Sequence, residues 1–220
     1  MLWLPSDRPT ERIVRCVGGL GLFGLGVALI IHAELGPAPW DVLHQGLAIL
    51  TGVAIGTVII IVGALLLLLW IPLRERPGLG TVLNAVEIGV VVNLVLPVLP
   101  DTDRLLPRLV LMAGGIVLVA IGSGFYIGSG LGPGPRDGLM TGLARLGLSI
   151  RVARTSIELT VVAGGLALGG SIGIGTALFA LGIGPLVQVF LPRLTLPAAP
   201  GAENTPGPPT PSAPRPPGTG

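Results

Sequence analysis

Six runs of about 20 mostly apolar residues occur along the chain, near 13–32, 53–72, 80–98, 107–127, 152–170 and 172–191. A helix needs roughly 20 such residues to cross about 30 Å of hydrocarbon. The pattern predicts an all-α, polytopic membrane bundle of about six transmembrane helices. The fifth run is the weakest, because Arg154, Ser156, Glu158 and Thr160 interrupt it. The first run follows Arg8, Arg12 and Arg15 as a secretory signal would. It is too long for one and is read as a retained helix. A shorter stretch from Pro39 to Leu50 would span about 18 Å as a helix at 1.5 Å per residue. That is too short to cross, so it is expected to be re-entrant or interfacial.

Composition agrees with the pattern. Only 11% of residues are charged, against roughly 25% in soluble domains. The 36 glycines suit helices that must approach closely in lipid, where burial of apolar surface gains little. Charge then sets orientation. With six spans and the N-terminus inside, only Arg104 and Arg108 of the thirteen basic residues fall outside. That positive-inside bias predicts a multi-pass plasma-membrane protein with both termini cytoplasmic. Residues 1–12 form the cytoplasmic N-terminal segment, 13–192 the membrane domain, and 193–220 a Pro- and Gly-rich tail expected to be disordered.

The membrane domain is duplicated. Residues 35–47 read LGPAPWDVLHQGL and residues 131–143 read LGPGPRDGLMTGL, a shift of 96 (131 minus 35). Gly80-Thr81 recur as Gly175-Thr176, and Ile88-Gly89 as Ile183-Gly184, at a shift of 95. The repeats cover about 13–98 and 107–192, with three spans in each. An odd number of spans turns the second half upside down, the inverted-repeat plan of many secondary transporters. On that plan Asp41 lies on the outer side and Asp137 on the inner side, fitting a gate at each mouth.

The run LGPAPWDVLHQGL, the TG…GT before the second apolar helix, and RPGLGTVLNA together resemble the YczE-type bacterial membrane proteins. More distantly they are similar to the YitT-type membrane proteins. The resemblance covers roughly residues 13–192 and implies a small multi-helix membrane bundle. It implies no particular chemistry. The Pro-rich tail departs from the pattern.

Several polar residues stand out as candidates for a solute or ion pathway. Pro39 and Pro135 suit the first turn of a helix, where a missing N–H costs nothing. Asp41 and Asp137 then sit near the positive end of the helix dipole. They either cap short helices or mark half-helices that face a polar cavity. Trp40 is expected to be an interfacial anchor, with Arg136 in its place in the second copy. His44 lies one turn after Asp41 and could bond to it. Glu87, with Asn84 one turn before it, lies inside the third span, where a charge is costly enough to suggest pairing, protonation or water. Glu158 has Arg154 four residues before it, so a local ion pair accounts for it.

Other chemistries lack their residues. The single cysteine, Cys16, allows no intrachain disulfide. The two histidines, His32 and His44, show no metal-ligand spacing, so no metal or cofactor is expected. Gly19-Leu-Gly-Leu-Phe-Gly24 matches a dinucleotide fingerprint only formally, because no strand precedes it. The glycines at 18, 26, 114, 122, 165 and 169 are likewise read as helix packing. No catalytic constellation is present, so an enzyme is not expected. The near-neutral charge of +2 argues against nucleic acid. The expected surroundings are the lipid bilayer and a small solute or ion. The Gly-rich faces would equally serve a homodimer. A small-solute or ion transporter with a midplane site is the leading expectation. A non-transporting scaffold or accessory subunit is the alternative.

Overall fold

The computed structural model describes residues 7–147 and 149–197. Among them are eight α-helices and no strand. They are α1 (Pro9–His32), α2 (Pro39–Thr51), α3 (Ile55–Leu73), α4 (Leu79–Val95), α5 (Leu105–Gly128), α6 (Pro135–Arg145), α7 (Ile150–Ala167) and α8 (Ile174–Leu194). A 3-10 turn, Leu96–Val98, extends α4. The order long, short, long, long occurs twice, as the sequence repeat predicts. The chain is an all-α membrane bundle.

Five helices, all but α2, α6 and α7, are long and apolar enough to cross a membrane. The weak fifth run is helical too, but Arg151, Arg154 and Glu158 within its 18 residues set it apart. Most of the expected tail, from residue 198, lies outside the described residues. Its first residues do not: α8 continues to Leu194, and the Leu196 amide donates to Gly128 O at 3.0 Å.

Helices α1 and α5 form the spine. Gly19 packs on Gly122, and Gly26 packs on Gly115. Contacts descend α5 as they ascend α1, so the two helices run antiparallel. A Cβ at Gly26 would stand 2.6 Å from Gly115 O, closer than real atoms approach. The close crossing therefore requires glycine, and the dispersion contacts of two abutting backbones replace a driving force that lipid does not supply. Gly18 and Gly114, at equivalent repeat positions, face open space and take no part.

Around the spine, contacts occur in exchanged pairs. Helix α4 lies on α1, and α8 lies on α5. Helix α2 packs on α7, while α6 packs on α3. Leu131 O accepts from the Gly80 amide at 2.8 Å, and Leu35 O accepts from the Gly175 amide at 2.7 Å. The two repeated motifs thus dock on each other, each on the copy in the opposite half. Within the second motif, Thr81 Oγ1 accepts from the Gly78 amide and Thr176 Oγ1 from the Gly173 amide. These bonds satisfy helix-start donors that would otherwise lack partners. Gly36 (φ 104°) and Gly132 (φ 120°) hold the left-handed turn that lets each LGP segment lie flat on its partner.

Arginine repeats the exchange. Arg12 in the first turn of α1 donates to Ser129 O at the end of α5, at 2.7 Å. Arg108 in the first turn of α5 donates to Ala33 O at the end of α1, also at 2.7 Å. Each cation meets the negative end of the other helix. The exchange is incomplete at one place. Helix α3 lies along α4, with Gly56 on Gly89, but no comparable packing joins α7 to α8.

Candidate functional site

The Gly-Pro-x-Pro elbows bring the chain back from the ends of α1 and α5 into the bundle before α2 and α6 begin. Pro39 and Pro135 each occupy the first helical position. Asp41 and Asp137 follow at the third, as the spacing predicts. The two helix starts do not lie at separate mouths. They meet: the Arg136 guanidinium sits 4.9 Å from the centroid of the Trp40 ring. These are equivalent residues of the two repeats, so the contact lies where the halves exchange. Trp40 is buried at 7% exposure among Val58, Val62, Leu66 and Val161. It is therefore not an interfacial anchor, because α2 starts in the interior and not at the surface. Its ring instead supplies a face for the guanidinium, a cation–π contact.

Asp41 is buried, and its Oδ1 accepts from His44 Nδ1 at 2.9 Å. The bond one turn apart on α2 is the one the spacing suggested. Arg136 Nη2 lies 3.9 Å from the same Oδ1. With Nδ1 donating to a carboxylate, Nε2 is the remaining acceptor of the imidazole. Two helix N-termini of about half a positive charge each, with one guanidinium, amount to roughly +2. The carboxylates of Asp41 and Asp137 balance this, so the meeting point is near neutral.

Between α2, α3, α4 and α6 lies a small cavity of about 20 Å³, lined by His44, Asn84, Pro135, Arg136 and apolar side chains. That is room for about one water molecule. Asn84 belongs also to a second polar group around Gly134, the residue that starts α6. A Cβ there would stand 3.2 Å from Asp137 Oδ2, 3.3 Å from Tyr126 Oη and 3.7 Å from Asn84 Nδ2. Tyr126 is 2% exposed, and its hydroxyl has no hydrogen-bond partner among the described residues. A larger cavity of about 170 Å³ opens near the end of α1, between Glu34, Pro37, Gln45, Ile55 and Ser171. Gln45 Oε1 accepts there from the Ser171 amide and hydroxyl at 2.8 and 3.0 Å.

The structure therefore gathers Trp40, Asp41, His44, Asn84 and Asp137 around the two helix starts. Glu87 is half-buried on α4, but its carboxylate faces Gly21 of α1 and lines neither cavity. Glu158 pairs with Arg154 at 2.9 Å along α7, as its spacing suggested. Two members of the cluster were not singled out as pathway residues. In sequence Arg136 shows only as the residue standing where the first repeat has Trp40. Tyr126 is the one tyrosine in the chain, and its place in an apolar helix was a usable signal.

A family model described as a family of unknown function, DUF6198, matches residues 10–192. The chain belongs to that family. A protein of Haemophilus influenzae is 42% identical over 173 residues, 78% of this chain and 79% of its own. The Bacillus subtilis membrane protein YczE is 35% identical over 178 residues, 80% of this chain and 83% of its own. A second Bacillus subtilis protein, YyaS, is 30% identical over 179 residues, 79% and 89% of the two chains. No solved structure matches the fold. The family match takes in all eight helices but their extreme ends, and with them the whole cluster. A relative described as a membrane protein agrees with the five apolar helices: this is an integral membrane protein.

Proposed function

We propose that the chain carries a small solute or ion across the plasma membrane through a site where α2 and α6 meet. The observation that carries this reading is the contact of Trp40 with Arg136 above a water-sized, polar-lined cavity. Half-helices that start inside a bundle expose free amides and a positive dipole end to whatever occupies the centre. Such starts are tolerated at membrane depth only where they line a cavity or are buried in protein. The cavity has room for about one water molecule, at about 20 Å³, so passage of a larger solute requires it to widen toward one side at a time. The exchanged contacts support a second half that is inverted relative to the first, so that tilting one half against the other would open either mouth.

The test is aqueous access. In a Cys16→Ala background, Asn84→Cys is expected to react with a small, water-soluble thiol reagent in intact membranes. Leu94→Cys, on the lipid-facing side of the same helix at 68% exposure, is expected to stay protected. Protection of position 84 in folded protein would sink the transport reading. It would favour a scaffold whose centre stays packed and whose partner co-purifies.

A further inference from the structure

We infer that the coupling ion is the proton, handed between Asp137 and Asp41 through Tyr126, one cavity water and His44, with Asn84 orienting the hydroxyl and the water. The inference rests on the transport reading of the same centre and deepens it. Three observations converge. The cavity accepts about one water and no hydrated ion. His44 lines that cavity while its Nδ1 is already committed to Asp41 at 2.9 Å. The Tyr126 hydroxyl is buried without a partner among the described residues and lies, with Asp137 Oδ2 and Asn84 Nδ2, within 4 Å of one point beside Gly134. A buried hydroxyl left unpaired is costly. Asp137 and Asn84 are the groups near enough to relieve it, directly or through a water.

The charges around the path favour it. His44 meets Asp41 on its own helix and shares the cavity with Arg136 of α6; α3 lines it with Ile59, Val62, Gly63 and Leu66 and α4 with Asn84, Ala85 and Ile88, none of them charged. Asp137 feels Arg136 and, from α7, Arg154. The acidic and thiol groups near enough to act on Tyr126 are Asp137 and Cys16, and Glu87 acts in turn on Cys16. Positive helix ends meeting in a pore repel free cations. Here a carboxylate stands at each end, so a proton passes between bases and never stands alone in that field.

The transfer balances. The O–H bond of protonated Asp137 breaks as its proton passes to the Tyr126 hydroxyl oxygen, whose own O–H proton goes on to the cavity water; that water gives one of its protons to His44 Nε2. His44 Nδ1 gives its own proton to Asp41, whose carboxylate becomes the acid. One proton has moved, and His44 is left as the Nε2–H tautomer. It carries no second proton in that direction until the ring turns over, so the relay moves one proton per opening cycle.

The experiment uses the full chain, labelled with ¹⁵N-histidine, in lipid nanodiscs; His32→Gln identifies the His44 signals. From about pH 5 to about pH 8, His44 is expected to interconvert between tautomers, seen as broadened ring-nitrogen lines. Asp137→Asn and Tyr126→Phe are each expected to slow that exchange tenfold or more. A single sharp tautomer in the unsubstituted chain overturns the relay. So does exchange that neither variant changes. Labelling at position 84 reads water access separately. A labelled site with a static His44 would leave transport standing and remove the proton as its coupling ion.

Discussion

At the scale of single residues, the exchanged halves carry complementary sizes. Gly165 packs on Val42, and at the equivalent contact Gly138 packs on Trp70. The pairs correspond by repeat position (42 plus 96 is 138; 70 plus 95 is 165), so the bulk has moved from one partner to the other. Trp70 is 1% exposed and donates its indole N–H to Pro135 O at 3.0 Å, so it cannot retreat. Gly138→Ala is therefore expected to cost about 1–3 kcal/mol through overpacking. Gly18→Ala and Gly114→Ala, which meet open space, should stay within about 0.5 kcal/mol of the parent. Thermal unfolding in detergent checks all three. Equal loss at 18 and 138 would remove the packing account. In sequence Gly18 and Gly114 look like packing glycines along with Gly26 and Gly122. A glycine in an apolar run shows that close approach is allowed, but only the helix rotation decides which face is used. Trp40 and Arg136 illustrate the same limit. Their equivalence was plain from the repeat, yet nothing in a linear offset says that two equivalent residues touch.

Elements were legible further than contacts. The spacing of Pro39, Asp41 and His44 gave the start of α2 and its internal hydrogen bond, because both are local to one or two turns. The GxGT blocks were recognised as repeated, and their reason lies elsewhere in the chain: each receives the LGP turn of the opposite half. The same holds for Arg12 and Arg108, which were counted for orientation and which also close the ends of α5 and α1. Arg108 donates to Ala33 O and Glu34 O at 2.7 Å each. Charged hydrogen bonds contribute about 1.5–3 kcal/mol, so Arg108→Ala should lower the unfolding midpoint clearly. Arg108→Lys should recover only part of it, because an ammonium lacks the planar fork. Arg12→Ala should cost more, since Arg12 is buried at 6% exposure and also pairs with Asp7. Its loss leaves Ser129 O unpartnered in a buried place. Circular dichroism melts of the three variants give the order directly, and a lysine as good as arginine would contradict the forked contact.

At the scale of the whole molecule, the number of crossings decides whether the second half mirrors the first. Hydropathy alone left α7 in doubt, because its charges blur the signal. The contacts constrain it better. Helix α8 begins beside the end of α1, where Gly175 donates to Leu35 O. It finishes beside the start of α1, where Arg15 donates to Leu194 O at 3.1 Å. Helix α6 ends on that second side, where Arg145 pairs with Glu75 just after α3 at 3.2 Å. Helix α7 must then run from one end of the bundle to the other to join them. Its 18 residues reach about 27 Å at 1.5 Å per residue, close to the hydrocarbon thickness. Its polar side chains are what distinguish it, since a crossing helix with Arg154, Thr155, Ser156 and Thr160 exposed needs water or protein beside it. With Cys16 removed, Thr102→Cys and Ile172→Cys should both react with an impermeant thiol reagent added outside intact cells. Leu146→Cys should react only after the membrane is opened. That pattern places the loop before α5 and the start of α8 on the outer face together, as an inverted pair with six crossings requires. If position 172 reacts only from inside, α7 does not cross, the second half is not an inverted copy, and alternating access between the halves loses its basis.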